Sequence, residues 1–162
     1  MSKINVIDDI LAPADTIKVH YEGKNPFKVF DMPRGLLRDV MKISAKDILE
    51  TDARWDILAD PRAFYGMWMG KRTEDQWTKT NIRIIIQGEQ DMKTRFGWLD
   101  IRFKGTVETK YEFTNFIQRG FWWTYNRTFY YSQRRRYLEY AKDNIYDIRR
   151  KMQEALGIRQ ED

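Results

Sequence analysis

The sequence predicts an α+β domain in which an antiparallel sheet is backed by one long C-terminal helix, and three observations carry this. Residues 99–113 alternate strictly, with Leu99, Ile101, Phe103, Gly105, Val107, Thr109, Tyr111 and Phe113 at odd positions and Asp100, Arg102, Lys104, Thr106, Glu108, Lys110 and Glu112 at even ones. That period of two marks a long strand with one wet face. Residues 138–156 change period: Leu138, Ala141, Ile145, Ile148, Met152, Ala155 and Leu156 form one stripe at 3.6-residue spacing, and Gly157 follows as a cap. Shorter alternating or β-branched runs fill the chain between residue 17 and residue 87, as the remaining strands of a sheet require.

In chain order, Ile17-Lys18-Val19-His20-Tyr21-Glu22 alternates and reads as the first strand. Gly23-Lys24-Asn25-Pro26 follows, with Asn25 expected as an N-cap and Pro26 at a first helical position. Pro33 opens a second helix through Leu36, Leu37, Val40 and Met41, because proline mid-helix costs about 3 kcal/mol. Two short helices in tandem therefore follow the first strand. From Ile48 to Ile57 the period returns to two, with Leu49, Thr51, Ala53, Trp55 and Ile57 expected on one face, and Asp60-Pro61 marks a turn. Ala63–Arg72 and Ile82–Gln87 read as strands joined by the polar turn Thr73-Glu74-Asp75. The strand at 99–113 would extend about 50 Å if straight, so it must twist or bend, and Gly105 is the expected place. Residues 115–136 fit either a helix with aromatics all round or a strand at 121–131. The lack of a turn after Gly120 favours a helix leading into the terminal one. The single domain is expected over 15–157, with 1–14 as an extension and 158–162 as a tail.

Composition removes several functional classes. The 162 residues contain no cysteine, which excludes disulfides, thiolate metal sites and cysteine nucleophiles. With 42% hydrophobic residues the chain is too apolar for disorder, and at this length it buries about 68–70% of its extended surface without a staple. The N-terminus lacks the apolar stretch of a signal peptide, and no run approaches the ~20 apolar residues of a membrane span, so a cytoplasmic location is expected. The single histidine, His20, cannot build a multi-histidine metal site. Paired acids such as Glu50 and Asp52 or Glu74 and Asp75 read as solvated charges. Gly66-Met67-Trp68-Met69-Gly70 lacks the spacing of a phosphate loop, and there is no nucleophile elbow. No catalytic residue, metal or cofactor is expected, and an enzyme is disfavoured.

The net charge of +5 is concentrated. Residues 1–114 are net +1, whereas residues 115–138 hold five arginines and no acid, together with nine of the 24 aromatics. Arg119, Arg127, Arg134, Arg135, Arg136, Trp122 and Trp123 are accordingly the candidate contacts for an anionic partner. Cationic and amphipathic rings suit a membrane headgroup boundary. They equally suit nucleic acid, through phosphate neutralisation and base stacking. They also suit a structural join in which rings fill the core and arginines reach outward, Arg135 being offset by Glu139 at i, i+4.

The order of strand, two short helices, antiparallel strands and long C-terminal helix over residues 15–157 resembles the helix-grip superfamily, which includes START-type lipid-transfer domains, polyketide cyclases and ligand binders of the birch-pollen-allergen type. The resemblance implies a sheet curved around the last helix and a cavity for an apolar ligand, for which Trp55, Tyr65, Met67, Met69, Trp98 and Phe103 are the candidate lining. These residues serve ordinary core packing as readily. The functional expectation is a non-enzymatic binding domain for an apolar small molecule or lipid, with 115–138 as a membrane or partner contact. A nucleic-acid-binding module and a cyclase-type enzyme are the alternatives. An exposed aromatic surface also leaves self-association open.

Overall fold

The computed structural model describes residues 2–12, 14–55, 62–113, 116–125 and 130–158, apart from the side chains of 2–4, 51–55, 112, 113, 116, 118, 119 and 123. Six antiparallel strands form one open, curved sheet: β1 (Ser2–Asp9), β2 (Ile17–Lys24), β3 (Ile48–Trp55), β4 (Arg62–Thr73), β5 (Thr78–Gln90) and β6 (Phe96–Phe113). A 3-10 turn (Pro26–Val29) and helix α1 (Met32–Asp39) follow β2, and helices α2 (Phe116–Tyr125) and α3 (Tyr131–Leu156) end the chain. The fold class is that expected, and 116–125 is helix.

The alternating segment supplies the spine. β6 pairs with β5 along one edge, while β1 and β2 share its other edge end to end, β1 against residues 106–113 and β2 against 96–103. β4 and β3 extend the sheet beyond β5. Residues 2–9, expected as an extension ahead of the domain, are thus an integral edge strand. The link between β1 and β2 drops Ile10 and Leu11 into the core, and the Ile10 amide bonds the Gly105 carbonyl at 3.0 Å. Gly105 is needed for space there: a Cβ would stand 2.8 Å from Ile10 Cδ1 and 2.9 Å from Ile82 Cδ1.

One face of the sheet is the core face. Leu99, Ile101, Phe103 and Val107 of β6, Ile82, Ile84 and Ile86 of β5, and Phe64 and Trp68 of β4 are buried with Ala141, Ile145, Ile148, Met152 and Leu156 of α3 in one cluster. Removing each such side chain from water contributes about 1.5–3 kcal/mol, so this face holds the sheet against the helix. At one end Phe30 stacks on Phe27 (5.0 Å) and meets Phe64 and Trp68 edge-on at 5.6 and 5.1 Å. α3 stops where expected: Gly157 takes φ 74°, and the Ile158 amide bonds the Gln153 carbonyl at 2.9 Å.

Two local expectations are corrected. Asn25 does not cap with its side chain; it adopts φ 56° and its amide donates to the Arg95 carbonyl at 2.6 Å, tying the 3-10 turn to the β5–β6 loop. The single-faced stripe expected over 48–57 is split by a bulge between Thr51 and Arg54. Leu49 and Thr51 pair with Met69 and Met67, whereas Trp55 pairs with Phe64 on the core side of β4. The turn at Asp60-Pro61 and residue Ile57 lie outside the described residues.

Deleting core atoms should separate the two faces. Phe103→Ala is expected to cost about 3–5 kcal/mol in denaturant unfolding, whereas Leu49→Ala, at a side chain 57% exposed, should stay within about 0.5 kcal/mol. Equal losses would contradict the assignment of faces.

Candidate functional site

The residues expected to line one cavity are divided by the sheet. Phe103 is fully buried on the core face. Tyr65, Met67 and Met69 alternate with buried Phe64, Gly66, Trp68 and Gly70, so they lie half-buried on the opposite, outer face. Trp98 is there too, in register with Glu22 and Glu89. Trp55 has its backbone beside Phe64, and its side chain is outside the described set. The five whose side chains are described do not converge on a common interior space. Met69 instead borders two shallow outer-face depressions of about 230 and 360 Å³.

The anionic-contact candidates also separate. Trp122 is buried, 4% exposed, stacked on Tyr111 at 5.1 Å; it anchors α2 and is no surface contact. Arg134 forms an ion pair with Asp8 of β1 at 2.9 Å, so its charge is met inside the fold. Arg135 reaches Glu139 at 3.4 Å, both exposed, as the i, i+4 spacing predicted. Arg136 is exposed, and its guanidinium has no ion pair or hydrogen bond among the described residues. Arg119 and Trp123 lie on α2 with their side chains outside the described set, and Arg127 falls outside the described residues altogether.

What orients α2 and α3 is a carboxylate that the sequence reading left as a solvated turn residue. Asp75 Oδ1 accepts from the Trp77 and Thr78 amides at 2.8 and 2.9 Å, which closes the β4–β5 turn. Its Oδ2 accepts from the hydroxyls of Tyr130, the residue just before α3, and Tyr137 of α3 at 2.8 and 3.0 Å. Since Tyr130 donates to Asp75, Thr78 donates to Tyr130 and Thr109 to Thr78 (2.9 Å), a one-way chain of hydroxyls from β6 to the carboxylate. Burial, with the Asp75 charge added, pushes both tyrosine hydroxyls above their ordinary range, so they stay protonated donors. Trp77 packs edge-on to Tyr111, Tyr125 and Tyr130 at 6.1, 6.1 and 5.4 Å. Beside it Arg72 bonds Glu74 at 2.6 Å, the Met41 carbonyl at 2.8 Å and Asn144 of α3 at 2.9 Å, and lies over the Tyr140 ring at 4.5 Å. The only sequence signal for this cluster was the interruption of an apolar stripe by Thr78, Thr80 and Thr109.

With Trp122 turned inward, the other side of α2 is left to solvent. Ile117 is 55% and Phe121 73% exposed, and Tyr125 is also exposed, an apolar ridge at i, i+4, i+8. Tyr125 stacks on Tyr130 at 6.0 Å, which keeps this ridge next to the first turns of α3, where Arg135 and Arg136 are exposed. Among the described residues, no group of three His, Asp or Glu side chains is placed to hold a metal ion, and no helix is long and apolar enough to cross a membrane.

No protein-family model and no curated protein matches the chain. Among solved structures it is similar to a Staphylococcus aureus protein of unknown function, at 12% identity and a TM-score of 0.27 over 88% of this chain and 94% of that one. So slight a likeness carries no argument. The curved antiparallel sheet with its C-terminal helix is compatible with a helix-grip-like arrangement.

His20 lies on the outer face, its Nδ1 2.5 Å from Asp100 Oδ1 and its Nε2 3.1 Å from Glu22 Oε1. Two carboxylate partners need both ring nitrogens protonated. The hydrogen bond to Asp100, then that to Glu22, raises its pKa above 6.5. The raised value means that the small stabilisation is complete below the unfolded pKa and is lost as pH rises through the folded one. An NMR titration should place His20 above its ordinary value and Asp100→Asn should lower it; a midpoint already at or below that value would contradict the geometry.

Proposed function

We propose that the protein is a non-enzymatic binding domain that docks reversibly on anionic membrane surfaces, with α2 as the inserting element. The observation that carries this reading is the ridge of Ile117, Phe121 and Tyr125 on a helix belonging to a segment with five arginines and no acid. An apolar ridge alone suits many partners, but a segment with five arginines and no acid favours a negatively charged one, and exposed large apolar groups favour a lipid surface over the phosphates of nucleic acid. The resemblance to lipid-handling helix-grip domains agrees with it. An interior ligand is less well supported, because the core face is occupied by Phe103, Trp68 and Phe64 packed on neighbours, and Tyr65, Met67, Met69 and Trp98 face outward.

Magnitudes fit a reversible contact. Inserting Phe121 and Ile117 contributes about 1.5–3 kcal/mol each at full burial, and each arginine near an anionic leaflet about 1 kcal/mol. With two or three arginines engaged, the total is on the order of 5–9 kcal/mol, which corresponds to affinities from tenths of a millimolar to tenths of a micromolar. Arg134, committed to Asp8, should add little.

Vesicle flotation tests this. The protein should float with phosphatidylcholine vesicles containing phosphatidylglycerol and much less with phosphatidylcholine alone, and Ile117→Ser with Phe121→Ser should reduce binding roughly tenfold or more while leaving unfolding unchanged. Absence of flotation would overturn the reading. Salt-sensitive capture of a single-stranded oligonucleotide in its place would support the nucleic-acid alternative.

A further inference from the structure

A second feature lies beside α2 and is chemically distinct from its ridge. Lys71 of β4, Lys79 of β5 and Lys110 of β6 come from three adjacent strands to border a depression of about 420 Å³, with Trp77, Tyr111 and Glu108 in its walls. The turn made by Asp75 shapes it: the Lys110 amide bonds the Trp77 carbonyl at 2.8 Å, drawing the aromatic wall onto the strand that carries the lysine. Glu108 is the one acid in that lining and is held by Lys110 at 3.4 Å. The ammonium groups of Lys71 and Lys79 form no ion pair or hydrogen bond among the described residues.

Two unpaired ammonium groups over one neutralised pair leave a net charge of +2 in a concave, partly aromatic site. Ammonium groups are compact point charges that suit phosphate oxygens and need no bidentate geometry. A singly charged carboxylate or phosphodiester would leave one cation unmatched, whereas a phosphomonoester near neutral pH carries close to two negative charges. We propose that this depression binds a phosphomonoester group. The group is carried either by a free small molecule or by a lipid headgroup, and only the second case rests on the docking reading above. The site adjoins the α2 ridge, since Tyr111 stacks on Trp122 and Trp77 touches Tyr125.

Two probes separate the cases: calorimetric titration with glycerol 3-phosphate, and flotation with vesicles containing phosphatidic acid, a monoester, against phosphatidylglycerol, a diester. Both use the full chain and the variant Lys71→Gln with Lys79→Gln, whose exposed positions leave folding intact by circular dichroism. Glycerol 3-phosphate should bind, weaken with salt, and lose affinity roughly tenfold or more in the variant. A preference for phosphatidic acid that disappears in the variant supports the lipid-borne form. No binding of glycerol 3-phosphate together with equal flotation on both vesicles would overturn the inference and leave docking standing. Binding that the variant leaves unchanged would also overturn it. Titration lost in the variant without any flotation would keep the pocket and remove the docking reading.

Discussion

The hydrogen bonds received by the Asp75 carboxylate are the constraint on which the functional end of the molecule depends. A turn residue closing its own hairpin is ordinary; here the second oxygen also takes the hydroxyls of two tyrosines about two helical turns apart at the start of α3. Because Thr78 and Thr109 are buried, this chain of hydroxyls has no competing water, and each donor has a defined acceptor. The start of α3 is thereby pinned to the turn between β4 and β5. With that point fixed, Tyr125 lies over Tyr130 and Trp122 over Tyr111, so the buried side of α2 is determined and its opposite side must face water.

The distribution of charge follows from the same arrangement. Five arginines without an acid look like one uniform patch along the chain, yet folding gives Arg134 to Asp8 and Arg135 to Glu139 and leaves Arg136 exposed. A helix turns about 100° per residue, so three successive arginines point in three directions and meet different neighbours. The surviving surface character of the segment is therefore an apolar ridge edged by cations, and the lysine-rich depression beside it comes from residues far apart in sequence.

Legibility in the sequence tracked the range of the interaction. The alternation at 99–113, the stripe at 138–156 and the two helix starts near Pro26 and Pro33 are local periodicities, and each became the expected element. Strand pairing is not local. β1 was missed because Ser2–Asp9 has charged residues and weak alternation, and its strand status comes from the free edge of β6. The candidate lining failed as a set for a related reason: period two tells which residues share a face within one strand, but the pairing of β4 with β6 through β5 decides that Met67 and Phe103 are on opposite faces. The bulge after Thr51 then shifts Trp55 relative to Leu49, which no pattern in 48–57 announces. Asp75 and Tyr130 stayed invisible as a pair because a 55-residue separation joins them only in the fold.

The central claim is that the outer side of α2 meets lipid. Since the chain has no cysteine, Phe121→Cys gives one attachment point for an environment-sensitive fluorophore, with Arg83→Cys on the outer face of β5 as the comparison. On adding vesicles that contain phosphatidylglycerol, the label at position 121 should shift to the blue and gain intensity while the label at position 83 stays as it is in water. An unchanged spectrum at 121, or a shift at 83 alone, would contradict the account.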